Sequence, residues 1–380
     1  MVRETLPSGT GYSRAVPRLP CSLIGSLTAL GTAALAALTL AACGSVAGKS
    51  PDAASGTGGS SSGGIGGAAD AGDAAPTSDS GNPGGPDAAA DGLAAPCNLA
   101  RPFGAPAIVS SLNTGFLDID VWLTADSRTA IVASNHTGAG GPGGFDLYTA
   151  GRAAATGDFG AATPLPVVNG VDTDRKPVLS PDSLKLFFSS NRLVGDGGTG
   201  LNIFVATRPN PLSDFGTPGP LAGVNSSGVD YAGSVSGDGR TLYFDSVTTA
   251  NRDILTKDLT SSSPPAPVAE LNSAGNDAFP VVSLDGRTIY FASIRALPGA
   301  AGDAGASADA GVKMDFDIWV ARRATASGPF SDLAPVNELN TASTDVPNWI
   351  SPDGCTIYIS TDRNAPNGDR HIWAASKPAN

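Results

Sequence analysis

Five times along the chain an asparagine is followed, five residues on, by an aspartate and, thirteen residues on, by a second aspartate inside a turn-like tetrapeptide. The asparagines are Asn113, Asn169, Asn225, Asn272 and Asn340; the aspartates at the first offset are Asp118, Asp174, Asp230, Asp277 and Asp345. The tetrapeptides read Thr124-Ala125-Asp126-Ser127, Ser180-Pro181-Asp182-Ser183, Ser236-Gly237-Asp238-Gly239, Ser283-Leu284-Asp285-Gly286 and Ser351-Pro352-Asp353-Gly354. Chance does not place fixed offsets five times. One structural unit is therefore built five times over. Successive asparagines lie 56, 56, 47 and 68 residues apart, so the unit changes length only outside this block. The longest interval contains a low-complexity insertion between Leu297 and Val312.

Each unit reads as four strands. A short apolar run such as Val346 to Ile350 precedes the turn, and an aromatic or β-branched run follows it, as in Leu184 to Phe188, Thr241 to Phe244 and Thr288 to Phe291. Alternation in this second run leaves one face for packing against a neighbouring sheet. The third strand contains Asp146-Leu147-Tyr148, Asn202-Ile203-Phe204, Asp253-Ile254-Leu255, Asp317-Ile318-Trp319 or His371-Ile372-Trp373; the fourth runs up to the asparagine, as in Ala266 to Leu271. The tetrapeptide closes a tight hairpin between the first two strands, with its fourth residue in the left-handed position that suits glycine. Ser127 and Ser183 stand there in the first two units, which predicts strained turns or turns of another type.

Ser-Pro-Asp-Gly followed by Ile-Tyr and then by Asp-Ile-Trp resembles the WD40-like repeat of TolB-type β-propellers, and the resemblance covers Phe103 to the C-terminus. It implies four-stranded antiparallel blades around a central channel and a place in the bacterial envelope. The expected fold is all-β, a five-bladed propeller over 97–380. The chain enters it with a fourth-strand segment, Phe103 to Leu112, and leaves with a third-strand segment, His371 to Ser376, so the N-terminal strand is expected to close the last blade. Cys97 precedes that strand and Cys355 opens the second strand of the same blade. The two form a disulfide across the closure, or remain two unpaired buried thiols.

Residues 1–42 carry Arg3, Arg14 and Arg18, then an uncharged apolar run ending Leu40-Ala41-Ala42 before Cys43. This is read as a secretory signal; Leu-Ala-Ala-Cys resembles the bacterial lipobox, which makes Cys43 the lipidated first residue of the mature chain. The competing reading is an uncleaved transmembrane helix. Residues 43–96 are rich in Gly, Ala, Ser and Asp and lack the apolar surface to fold, so a disordered tether is expected, with a root-mean-square span of roughly 40 Å. Removing the signal takes the net charge from −12 to −14. An acidic chain argues against nucleic acid or an anionic bilayer as partner. The membrane is then engaged only through the lipid.

The recurring Asp118, Asp174, Asp230, Asp277 and Asp345 have two readings. They could ring a channel mouth and hold a cation or basic ligand, or they could satisfy backbone groups in a loop that every blade needs. Arg192, Arg295 and Arg363, at comparable positions in the loops between second and third strands, pair with nearby aspartates as structure or form a polar rim; Asn135-His136-Thr137, Asp196, Asp362 and Asn364 lie in the same loops. Trp122, Trp319, Trp349 and Trp373 occupy strand positions and are expected in the core. His136 and His371 are the only histidines, too few for a convincing Ser-His-Asp triad or zinc site. Glu270 and Glu338 share one repeat position and read as architecture. Gly138 to Gly143 fits the GxGxxG pattern but precedes no helix, so no dinucleotide site is expected, and no cofactor is called for. These features predict a monomeric, non-enzymatic module binding an envelope protein, peptide or glycan. The alternative is a carbohydrate hydrolase using channel aspartates.

Overall fold

A computed structural model describes residues 97–136, 144–193, 200–247, 251–297, 315–364 and 369–380. The signal, Cys43, the tether, Thr137, the Gly138–Gly143 motif, Asp196 and the insertion between Leu297 and Val312 lie outside the described residues. Among the described residues no helix is long and apolar enough to cross a membrane.

The chain opens with β1 (Ala107–Ile108) and a single 3-10 turn, Ser110–Leu112. Five blades of four antiparallel strands follow from the repeat. Blade I holds β2 (Asp118–Leu123), β3 (Thr129–Ser134), β4 (Asp146–Gly151) and β5 (Thr163–Pro164). Blade II holds β6 (Asp174–Leu179), β7 (Lys185–Ser190), β8 (Asn202–Thr207) and β9 (Gly219–Pro220). Blade III holds β10 (Asp230–Val235), β11 (Thr241–Val247), β12 (Arg252–Asp258) and β13 (Ala266–Pro267). Blade IV holds β14 (Asp277–Val282), β15 (Thr288–Ser293), β16 (Asp317–Arg322) and β17 (Ser331–Pro335). Blade V is β18 (Asp345–Ile350), β19 (Thr356–Thr361) and β20 (His371–Ser376), completed by β1 in the order β1-β20-β19-β18. The first strands touch in the cycle β2, β6, β10, β14, β18 and back to β2, so the ring is closed.

The closure copies the other blades in detail. In blades I to IV the terminal asparagine mimics a strand residue, its side chain accepting the N–H and donating to the C=O of one third-strand residue: Asn169 with Leu147, Asn225 with Ile203, Asn272 with Ile254 and, for Asn340, Ile318. Asn113 makes the same pair of bonds with Ile372, 259 residues away. The N-terminal segment therefore serves as the outer strand of the last blade. Below it Cys97 is bonded to Cys355, with Cα atoms 5.7 Å apart, and pairs with Ala379.

Four of the five outer strands, all but β17, are only two residues long, shorter than the sequence suggests. The stretch Ala266 to Leu271 pairs only at Ala266–Pro267, and Phe103 to Leu112 only at Ala107–Ile108. Val268 and Val109 each give one more N–H to the third strand before the chain turns away. Proline at the second outer-strand position, as in Pro164, Pro220 and Pro267, has no N–H to give, and such a short edge resists pairing with another chain.

Second strands are covered on both faces, not one. Each sheet is sandwiched between two others, so Phe187 is at most 1% exposed on one face and Phe188, Phe244 and Phe291 are at most 1% exposed on the other. Trp122, Trp319 and Trp349 lie in this core as expected, whereas Trp373, in the last strand, is only half-buried at the core's edge. The hairpin tetrapeptides are all of one type: Ser127 and Ser183 adopt φ 59°, beside 74°, 70° and 71° at Gly239, Gly286 and Gly354. Of the two expectations for the serine turns, strain is the one realised.

Candidate functional site

First strands start at the face that bears the interblade loops and run toward the hairpin turns. The five recurring aspartates begin these strands and are buried, each at most 1% exposed. Each accepts the backbone N–H of the residue after the asparagine: Thr114 for Asp118, Gly170 for Asp174, Ser226 for Asp230, Ser273 for Asp277 and Thr341 for Asp345. The arginines complete this arrangement. Arg192 bonds Asp174 at 2.7 Å, Arg295 bonds Asp277 at 2.6 Å and Arg363 bonds Asp345 at 2.6 Å. Each guanidinium also donates to the carbonyl just before the asparagine, Val168, Leu271 or Leu339. Aspartates and arginines are thus brought together in pairs within their own blades, closing interblade loops, and not into one ring around the channel.

The other expected residues serve the same loops. Asn135, Asn191 and Asp362 accept the N–H groups of Leu117, Thr173 and Thr344. His136 stands at the repeat position of the three arginines and makes edge contacts with Phe116 and Tyr148. Glu270 and Glu338 accept from Phe330 and Phe103 of the following outer segments. Asp345, Thr361 and His371 lie opposite one another across three strands, but the same row recurs as Asp118, Ser134 and Asp146 and as Asp277, Ser293 and Asp317. That row is architecture rather than a triad.

Symmetry breaks just inside the mouth. In every first strand the ladder shifts register, between Asp118 and Val121, Arg175 and Val178, Ala232 and Ser234, Ala278 and Val281, and Pro347 and Trp349. Such bulges re-aim side chains, and Lys176 and Phe279 at their centres have φ 53° and 55°. The five copies differ most here. Asp120 lies 2.9 Å from both Arg175 and Lys176, and Lys176 donates to Asn348 across the axis at 3.2 Å. Asp245, alone acidic at its repeat position, accepts the Phe279 N–H at 2.8 Å and faces Arg252 at 3.2 Å. The Arg252 guanidinium stands over the Tyr231 ring, as that of Arg175 does over Phe145 and Tyr231, while Lys176 caps the Phe279 ring at 4.1 Å. Arg370 and Asp362 act on the same cluster electrostatically.

Burial pushes the Asp120 carboxyl up, but Arg175 and Lys176 outweigh it and hold the group well below the usual carboxylate range. Burial lowers Lys176 to about 8 against the pull of Asp120. Asp245 is pushed up to about 6 by burial, in spite of Arg252. Four cationic groups, Arg175, Lys176, Arg252 and Arg370, thus stand among four carboxylates, Asp120, Asp230, Asp245 and Asp362, with Asp245 half-neutralised near pH 6.

Of this cluster Asp120 and Lys176 line a narrow axial recess, with Phe279 and Asn348, above Val121, Val178 and Val281; it has space for about one water molecule. The opposite mouth, among the hairpin turns, holds a recess of about 60 Å³ lined by Trp122, Val235, Leu284 and Trp349 and by no charged side chain. Among the described residues no group of three or more His, Cys, Asp or Glu is placed to hold a metal ion. The asymmetric cluster escaped the sequence reading. Its signal is charge inside an otherwise apolar first strand, Asp120 in one unit and Arg175-Lys176 in the next.

No family model matches the chain, and no curated protein matches it. Solved structures similar to it include TolB from Acinetobacter baumannii, with 15% identity, a TM-score of 0.42 and coverage of 71% of this chain and 57% of that one. A putative TolB from Agrobacterium tumefaciens aligns at 17% identity and TM-score 0.43, over 73% of this chain and 99% of that one. A glycosyl hydrolase from Bacteroides ovatus aligns at 14% identity and TM-score 0.44, over 74% and 95%. At these identities substrate and partner must be argued from the site itself.

Proposed function

We propose that the propeller is a non-enzymatic binding module of the bacterial envelope, lipid-anchored through Cys43, that receives a protein, peptide or glycan at its loop-bearing mouth. The observation that carries this reading is the gathering of Arg175, Lys176, Arg252 and Arg370 at one end of the channel of an acidic protein. Burying charges costs stability even where they are paired, and an apolar set of residues would hold the ring without that cost. Functional residues are also expected where a repeat breaks its own symmetry, and these positions do.

A hydrolase is favoured by one observation only, the opposite displacement of Asp120 and Asp245. Both carboxylates are at most 1% exposed and engaged by cations, which weighs against it. Peptide and glycan arrays run beside a glycosidase screen separate the two. Binding reduced by Lys176→Met and unchanged by Leu284→Ser at the other mouth supports the module, whereas turnover lost on Asp245→Asn would sink it. Cys43→Ala tests the anchor by release of the protein from membranes.

A further inference from the structure

We infer that Lys176 and Asn348 join their side chains in an isopeptide bond across the channel axis, with Asp120 carrying the proton. The inference does not depend on what the mouth receives: the bond takes one cation from it and leaves Arg175, Arg252 and Arg370. Three innermost strands supply the groups, β6 of blade II, β18 of blade V and β2 of blade I. Each residue breaks its repeat. Asn348 stands where the other units have Val121, Pro177, Gly233 and Pro280, while Lys176 and Asp120 share a position with Ala232, Phe279 and Pro347. None of these others carries a polar side chain.

Lys176 Nζ donates to Asn348 Oδ1 at 3.2 Å and lies 2.9 Å from Asp120 Oδ1. The three residues are at most 5% exposed, and the recess beside them has space for about one water molecule. An amine held against an amide in a nearly dry site meets its carbon at high effective concentration, with little water to compete. Further contacts fix the geometry. Asn348 Nδ2 donates to Ser360 Oγ at 2.6 Å, which orients the amide, and Nζ lies 4.1 Å from the centre of the Phe279 ring. The Lys176 backbone is held at φ 53°, a left-handed bulge that an L-residue adopts at a cost and that turns the side chain toward the axis.

Attack needs the neutral amine. Burial lowers Lys176 to about 8, so about half the chains carry that amine at pH 8. Its lone pair bonds to Asn348 Cγ; Asp120 takes the proton that Nζ sheds and returns it to Nδ2 as the Cγ–Nδ2 bond breaks. One amine and one primary amide become one secondary amide and ammonia, with no change of oxidation state. Escape of the ammonia makes the step one-way. It also removes a buried ammonium and leaves Asp120 to Arg175, 2.9 Å away. The product ties blade II to blade V through residues 172 apart in sequence.

The full chain is purified, held at pH 8, reduced, digested and read by tandem mass spectrometry. A peptide pair joined through Lys176 and Asn348 is expected, its mass the sum of the two less one ammonia. On a reducing, denaturing gel the linked chain should run ahead of Lys176→Arg, which keeps the charge and cannot form the bond. Asn348→Ala should give no pair, and Asp120→Ala, which installs the residue of blade III, should slow linkage about a hundredfold or more; thermal melts verify that the variants fold. Recovery of Lys176 and Asn348 only in separate, unmodified peptides of the folded chain overturns the inference. Loss of ammonia confined to the peptide of Asn348 means ring closure on its own backbone and overturns it as well. Linkage in Asp120→Ala at the unsubstituted rate overturns the role of Asp120 alone.

Discussion

Ser127 and Ser183 hold a left-handed backbone that three sister turns assign to glycine. That conformation costs an L-residue about 1–2 kcal/mol, and glycine gives back about 0.5–1 kcal/mol in chain entropy. Ser127→Gly and Ser183→Gly should therefore each stabilise the propeller by about 0.5–1 kcal/mol in urea melts, while Gly354→Ser should destabilise it. Asp317 is a second residue whose sister positions suggest the better choice. Burial, with Asp345 and Asp315 nearby, raises its carboxyl to about 6, and blade II carries Asn202 at the same repeat position. Because the folded pKa lies above the unfolded one, the group's favourable contribution is present below about pH 4 and is lost as pH rises to about 6. Asp317→Asn should accordingly raise the melting temperature at pH 8 and leave it unchanged at pH 4. An equal gain at both pH values would rule out charge as the cause.

Outer strands are so short that side chains finish them. Asn340 supplies the N–H of Ile318 with its acceptor; the Ile318 carbonyl keeps a second partner in Val336. Asn340→Ala therefore orphans one buried donor, and a loss of about 1–3 kcal/mol is expected in equilibrium unfolding. Arg363→Met goes further, leaving Asp345, 0% exposed, without its counter-charge; about 3 kcal/mol or more should be lost. Arg363→Lys should recover little of that, because one ammonium does not reproduce a fork reaching both Asp345 and the Leu339 carbonyl. These elements were legible in advance because they repeat: the offsets from asparagine to aspartate located every blade and loop. The mouth was not legible for the opposite reason. Asp120, Arg175, Lys176, Tyr231 and Phe279 share no residue type, and only the register shift, a property of paired backbones, turns them toward one axis. The length of the outer strands was hidden too, since Val268 and Leu271 look like strand residues but belong to a turn held by the core.

A propeller ring is as strong as its closure, because every other blade–blade contact follows from consecutive chain. Here the closure joins residues far apart in sequence, by Asn113 on Ile372, the two-residue pairing of β1 with β20, and Cys97 on Cys355 with a separation of 258 residues. Two pairs of strand residues cannot hold such ends together against loop-closure entropy, which grows only slowly with length but is already large at this span. The disulfide meets that cost in the unfolded chain, by about 5 kcal/mol in the chain-entropy model. Cys97→Ser with Cys355→Ser should lower stability by up to that amount and leave the five first strands in place. Asn113→Ala added to the double variant should instead loosen blade V selectively. Hydrogen exchange reads the difference: amides of β19 and β20 should lose protection before those of β7 and β11, since local opening follows the weakest contacts. Uniform loss of protection across all five blades would mean that the ring opens as one unit, and that closure between the termini is no weaker than the joints between consecutive blades.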